Sequence, residues 1–82
     1  MNIKVIGMGC DKCGTLYTNT LEAVAQSGVQ AEVEKVEDLL EIVKLGVMSA
    51  PSLMIDGKLV VSGSVASVKN ILSLLEKHKG GN

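Results

Sequence analysis

The chain has 82 residues, a formal net charge of −1 at pH 7, 46% hydrophobic residues and a single aromatic residue, Tyr17. This length makes one domain, residues 1–82, with an aliphatic core; a domain of this size buries only about 60–65% of the surface of its unfolded chain. There is no basic stripe to follow a phosphate backbone and no aromatic platform to stack bases. No apolar run approaches the ~20 residues of a membrane span, so nucleic-acid and membrane partners are not expected. The first residues lack the basic and long apolar segments of a secretory signal, and a cytoplasmic location is expected.

The β-branched run at 3–6 reads as a strand, and the glycine-punctuated stretch 7–12 as a loop. From 13 to 27 the apolar residues Leu16, Tyr17, Leu21, Val24 and Ala25 recur at helical spacing, with Gly28 as a C-terminal cap. Residues 29–36 alternate as a half-exposed strand. Ala31, Val33 and Lys35 share one face, where the lysine breaks the pattern, while Glu32 and Glu34 take the other. A second helix is predicted over 37–45, with Leu39, Ile42 and Val43 on one helical face, acidic residues at its start and Lys44 near its end. Gly46 stops it. Strands at 52–55 and 58–62 are joined by Asp56-Gly57, a strong two-residue hairpin signal. After Gly63 and Ser64 a last helix turns Val68, Ile71, Leu72 and Leu75 inward. Residues 77–82 read as a frayed polar tail, with 78–82 flexible. The order β-α-β-α-β-β-α gives an α/β fold: a parallel strand–helix–strand unit followed by an antiparallel hairpin, making a mixed four-stranded sheet with helices on both faces.

Cys10 and Cys13 are the only cysteines. Thiol pairs at this spacing in a reducing compartment are more often catalytic or metal-binding than structural. Positions i and i+3 at a helix start share a face, which allows the ~2.05 Å sulfur–sulfur distance of a disulfide. The first sulfur then lies near unpaired N–H groups and the positive end of the helix dipole, an environment that favours the attacking thiolate. Lys12 adds to this effect and Asp11 opposes it. Cys10, the more exposed, is expected to attack a substrate disulfide, and Cys13 to resolve the mixed disulfide.

Two families share this opening. Gly7-Met8-Gly9-Cys10-Asp11-Lys12-Cys13, with Gly28-Val29 after the first helix, resembles heavy-metal-associated domains, where both cysteines hold a soft ion such as Cu(I). Those modules would pass from the second strand through a tight turn into a third strand, whereas here 37–45 reads as a helix. The following segment, Val47-Met48-Ser49-Ala50-Pro51-Ser52-Leu53-Met54-Ile55-Asp56-Gly57-Lys58, is similar to the part of the thioredoxin superfamily in which a cis-proline opens the third strand. Gly63 matches the glycine bordering the substrate groove there. The likeness covers roughly residues 3–77 and is closest to the compact redox-active disulfide proteins of archaea and bacteria. Gly9 stands where thioredoxins carry Trp, and Asp11-Lys12 where they carry Gly-Pro.

The resemblance implies an enzyme, a monomeric protein-disulfide oxidoreductase without cofactor beyond a redox-active Cys10–Cys13 disulfide. Its partners would be disulfide-containing proteins and a recycling enzyme of the thioredoxin-reductase type. It also implies a cis Ala50–Pro51 bond facing Cys10, with the Ala50 backbone available to an extended substrate strand and Met8, Met48 and Gly63 framing a shallow apolar groove. The alternative is a soft-metal binding protein or chaperone using the same two cysteines. A non-enzymatic interaction module is a third reading. Met8 and Met48 are either soft ligands or an apolar rim. Tyr17 reads as a core residue with its hydroxyl at the surface, and His78 as solvated. A closed zinc site needs four ligands, which would require a dimer. The acidic residues from Glu32 to Glu41 read as a solvated face or an acidic docking surface.

Overall fold

The computed structural model describes residues 1–7 and 11–80, and for residues 11–13, 79 and 80 the backbone alone. The elements follow as β1 (Asn2–Ile6), α1 (Asp11–Ser27), β2 (Glu32–Val36), α2 (Leu39–Lys44), β3 (Ser52–Ile55), β4 (Lys58–Ser62) and α3 (Val68–Gly80). The four strands form one sheet in the order β2-β1-β3-β4. β1 and β2 are parallel, with Ile6 opposite Val36. β3 runs antiparallel to both β1 and β4. Asp56 and Gly57 carry φ of 49° and 84°, as a type I′ hairpin turn requires.

Strand alternation divides the core between the two faces of the sheet. Ile3, Val5, Leu53 and Ile55 are fully buried against Leu16 and Ala23 of α1 and Ile71 and Leu75 of α3. Ile6, Val36 and Met54 point the other way and pack on Ile42 of α2 and on Val47. Helices therefore cover both faces, as the element order implies. The cover is unequal, because α2 has six residues against seventeen in α1.

The helices differ from expectation in particular ways. α1 opens at Asp11, two residues before the predicted start, so that Asp11 and Lys12 are helical and not loop. Its buried face is Leu16, Thr20 and Ala23, while Leu21 is 43% exposed and Ala25 is exposed. Thr20 sits in this apolar setting because its hydroxyl donates to the Leu16 carbonyl one turn back (2.7 Å), leaving no unpaired polar atom. Of the three residues on the apolar face of α2, only Ile42 is buried. α3 runs through Lys77 to Gly80, past the point where the polar composition suggested that regular structure ends. Lys35, the exception in its strand, lies with its ammonium 5.6 Å from the centre of the Tyr17 ring and 3.8 Å from Glu37. A cation over the aromatic face explains a lysine where alternation calls for an apolar residue. Among the described residues no helix is long and apolar enough to cross a membrane.

Candidate functional site

One end of the sheet gathers the segments singled out in the sequence. Ile6, the last residue of β1, pairs with Ser52, the first of β3, and Ser52 pairs in turn with Ser62 at the end of β4. The Gly7 N–H donates to the carbonyl of Val36 at the end of β2 (3.0 Å). β1 ends here, and the next element, α1, opens at Asp11. Met8, Gly9 and Cys10 lie outside the described residues. Cys13 falls in the first turn of α1; its side chain, with those of Asp11 and Lys12, also lies outside them.

The segment before β3 is held by two specific contacts. The Ser52 side chain is fully buried and donates its hydroxyl to the Ser49 carbonyl (2.6 Å). The Gly63 N–H donates to the Pro51 carbonyl (2.9 Å). The Ala50–Pro51 peptide bond is cis. Pro51 is buried and Ala50 exposed. Ala50 belongs to no strand pairing, and among the described residues its N–H and C=O make no backbone hydrogen bond. Gly63, at φ +74°, is the residue that lets the β4 end approach this closely. A Cβ there would stand 3.3 Å from the Ser49 Cβ, in a backbone region that side-chain-bearing residues avoid.

Beside this loop lies an apolar cleft of about 280 Å³ between α2 and the segment that leaves it, lined by Leu39, Ile42, Val43, Val47, Met48, Ser49 and Ala50. Its shape follows from how α2 ends. Gly46, at φ +75°, donates to the Val43 carbonyl (3.0 Å), and Val47 donates to that of Ile42 (3.3 Å). This is a Schellman ending, whose usual apolar contact is made here by Val47 and Ile42. It turns the chain back toward the cysteine-bearing end of the sheet. The walls are open: Leu39 is 57% exposed, Val43 65% and Met48 97%.

Of the residues the sequence marked, the structure brings together Met48, Ala50, Pro51 and Gly63. The sequence did not single out Ser49 and Ser52, which fix the loop, and it marked Leu39 and Val43 only as members of one apolar helical face. The spacing of apolar residues on a helix too short to bury them all was the available signal. Among the described residues no group of three or more His, Cys, Asp or Glu side chains comes together as a metal site would require.

The family model described as thioredoxin domain matches residues 1–76 of the chain. The chain is 39% identical over 75 residues to a thioredoxin of Methanothermobacter thermautotrophicus, covering 92% of this chain and 97% of that protein. It is 35% identical over 79 residues to a thioredoxin of Methanocaldococcus jannaschii, covering 96% and 91% respectively.

Proposed function

The chain belongs to the thioredoxin domain family, and on that premise we propose that it is a thiol–disulfide oxidoreductase that reduces protein disulfides through Cys10 and Cys13. The observation that carries this reading is the pairing of Ile6 with Ser52. It sets the β1–α1 junction, where both cysteines stand in the sequence, at the same end of the sheet as the Ser49–Pro51 loop and its apolar cleft.

Cys10 directly precedes α1 in the sequence and Cys13 is the third residue of that helix. The unpaired N–H groups and positive dipole end of a seventeen-residue helix favour a thiolate at its start. The Cys10 thiolate attacks one sulfur of the substrate disulfide, forming a mixed disulfide and releasing the other sulfur as a thiolate. The Cys13 thiolate then attacks the Cys10 sulfur, closing the Cys10–Cys13 disulfide and releasing the second substrate thiol. Two electrons pass from the dithiol to the substrate, and the two protons given up by the cysteines are recovered on its thiols. A separate dithiol reductant of the thioredoxin-reductase type restores the pair. The reading takes the chain to work in the cytoplasm, where thiols are kept reduced.

The soft-metal reading has less support. The segment after β2 is the helix α2, where a metal-binding module of the kind the opening resembles would continue as a strand. The test is reduction of insulin disulfides with dithiothreitol as recycling reductant. The protein should accelerate precipitation of the freed chains, Cys10→Ser should abolish the effect, and Cys13→Ser should stall after mixed-disulfide formation. A rate equal to that of dithiothreitol alone would refute the proposal.

A further inference from the structure

We infer that the groove between β4 and α3 is a docking site, which takes an extended acidic segment of another polypeptide as a fifth strand of the sheet. It shares no lining residue with the cleft beside Ala50 and does not depend on the oxidoreductase reading.

β4 is an outer strand of the sheet. Among the described residues no backbone hydrogen bond reaches it from its open side. The closing pair of the two-residue hairpin, Ile55 and Lys58, turns its backbone groups toward each other, so those of Leu59 point outward. The other outer strand, β2, is guarded by the exposed carboxylates of Glu32 and Glu34. β4 carries no charge from Leu59 to Ser62, and Leu59 is 45% exposed. An uncharged, apolar outer strand is a template for pairing with another chain. The irregularity between Leu53 and Met54 leaves Val60 without a partner on β3. It turns Val60, together with Val61, toward the side of the sheet that α3 covers.

α3 makes the other wall of the groove, which holds about 460 Å³. Val60, Val61, Val65 and Leu74 form a half-buried aliphatic floor. Asn70, Ser73 and Lys77 lie on one face of α3 and form an exposed rim. Lys77 is the one charged residue among those lining the groove. A strand laid along β4 sends alternate side chains to the α3 side, roughly 7 Å apart. An aliphatic one covers the valines, and a carboxylate two residues away reaches toward Lys77. The β4 strand of a second copy offers no such partner, because it contains no acidic residue. The occupant is therefore an acidic segment of another protein, held by backbone hydrogen bonds to the edge and by its side chains in the groove.

The test titrates the isotope-labelled full-length protein with short blocked peptides and follows its backbone amides by NMR. The probes are Thr-Val-Thr-Glu-Thr, the reversed order Thr-Glu-Thr-Val-Thr, and versions of each with Gln or Lys in place of Glu. They hold no cysteine, so the outcome is independent of any redox chemistry. In one of the two orders, shifts should concentrate at Leu59 to Ser62 and at Asn70, Ser73 and Lys77, and hydrogen exchange of the Leu59 amide should slow. At low ionic strength Glu should bind about two- to fivefold more tightly than Gln, the scale of an exposed ion pair, with Lys the weakest. This ordering should vanish near ~0.5 M salt. Lys77→Glu, at an exposed position, should reverse it. No binding of any peptide at millimolar concentration, Glu and Lys peptides bound alike, or shifts that spare β4 would overturn the inference. Self-association of the free protein that perturbs the same β4 amides would overturn it as well, by assigning the edge to a second copy.

Discussion

Gly63 lies against Ser49 so closely that a methyl group added to it would stand 3.3 Å from the Ser49 Cβ, and its φ of +74° leaves no relaxed place for one. Gly63→Ala should therefore cost about 1–2 kcal/mol. That corresponds to a Tm lower by about 4–16 °C for a domain of this size, measured by thermal unfolding. Because the neighbour that must yield is Ser49, the KM for protein disulfides should rise as well. An unchanged Tm would mean that the two loops are not in this contact.

Ser52→Ala removes the buried hydroxyl that donates to the Ser49 carbonyl at 2.6 Å. The exposed side of Ser49 lets water replace the lost donor, so the stability cost should be modest, about 1 kcal/mol. The larger effect should fall on function, because the Ser49–Ala50 segment loses one of its two ties. A variant with wild-type kinetics would show that the loop needs no such anchor.

Asp56 offers the complementary experiment at the far end of the sheet. Its carboxylate accepts from the Asn2 N–H (2.7 Å), and its own N–H donates to the Asn2 carbonyl (2.7 Å). Asp56→Ala should destabilise by about 1–2 kcal/mol, combining a lost hydrogen bond with a side chain poorly suited to φ +49°. Disulfide reduction measured well below the Tm should keep its rate. A large kinetic defect would contradict the assignment of function to the opposite end, where Ile6 meets Ser52.

Removal of metal should leave the reduced protein folded. Among the described residues both core clusters are built from apolar side chains. A structural zinc site would contribute on the order of 10 kcal/mol, so dependence on it would be unmistakable. Thermal unfolding of the reduced protein with and without a strong zinc chelator and a Cu(I) chelator should give the same Tm. Melting on chelation would promote the metal reading over the redox one.

The hairpin strands β3 and β4 coincide with their expected limits, because Asp56-Gly57 prescribes a two-residue turn and thereby the pairs Ile55–Lys58 and Met54–Leu59; beyond them an irregularity between Leu53 and Met54 shifts the register by one residue. The inner face of α3 was equally legible from Val68, Ile71, Leu72 and Leu75. α1 was misread where polarity and burial part company: Thr20 is buried because its own helix satisfies its hydroxyl, whereas hydropathy favoured Leu21. α2 was legible only in part, for a reason closer to function. Leu39 and Val43 have core-like spacing, yet a helix of six residues seats only Ile42 on the sheet. The rest of the apolar face is left to wall the cleft. Local rules fail most often where a surface serves a partner. The positions of Ala50, Pro51 and Gly63 came from the resemblance and not from periodicity. Ser49 and Ser52 carry no sequence signal that separates them from ordinary loop serines.

The central claim, that Cys10 and Cys13 form a redox couple, is tested most directly by equilibrating the protein in dithiothreitol or glutathione buffers of graded potential. Free thiols are then alkylated and counted by mass. The expected result is loss of both thiols together within one chain, in a single two-electron transition of about 30 mV per tenfold change, with a midpoint of about −200 to −270 mV. Two thiols that stay free across the whole range, or that oxidise only between chains, would contradict the account.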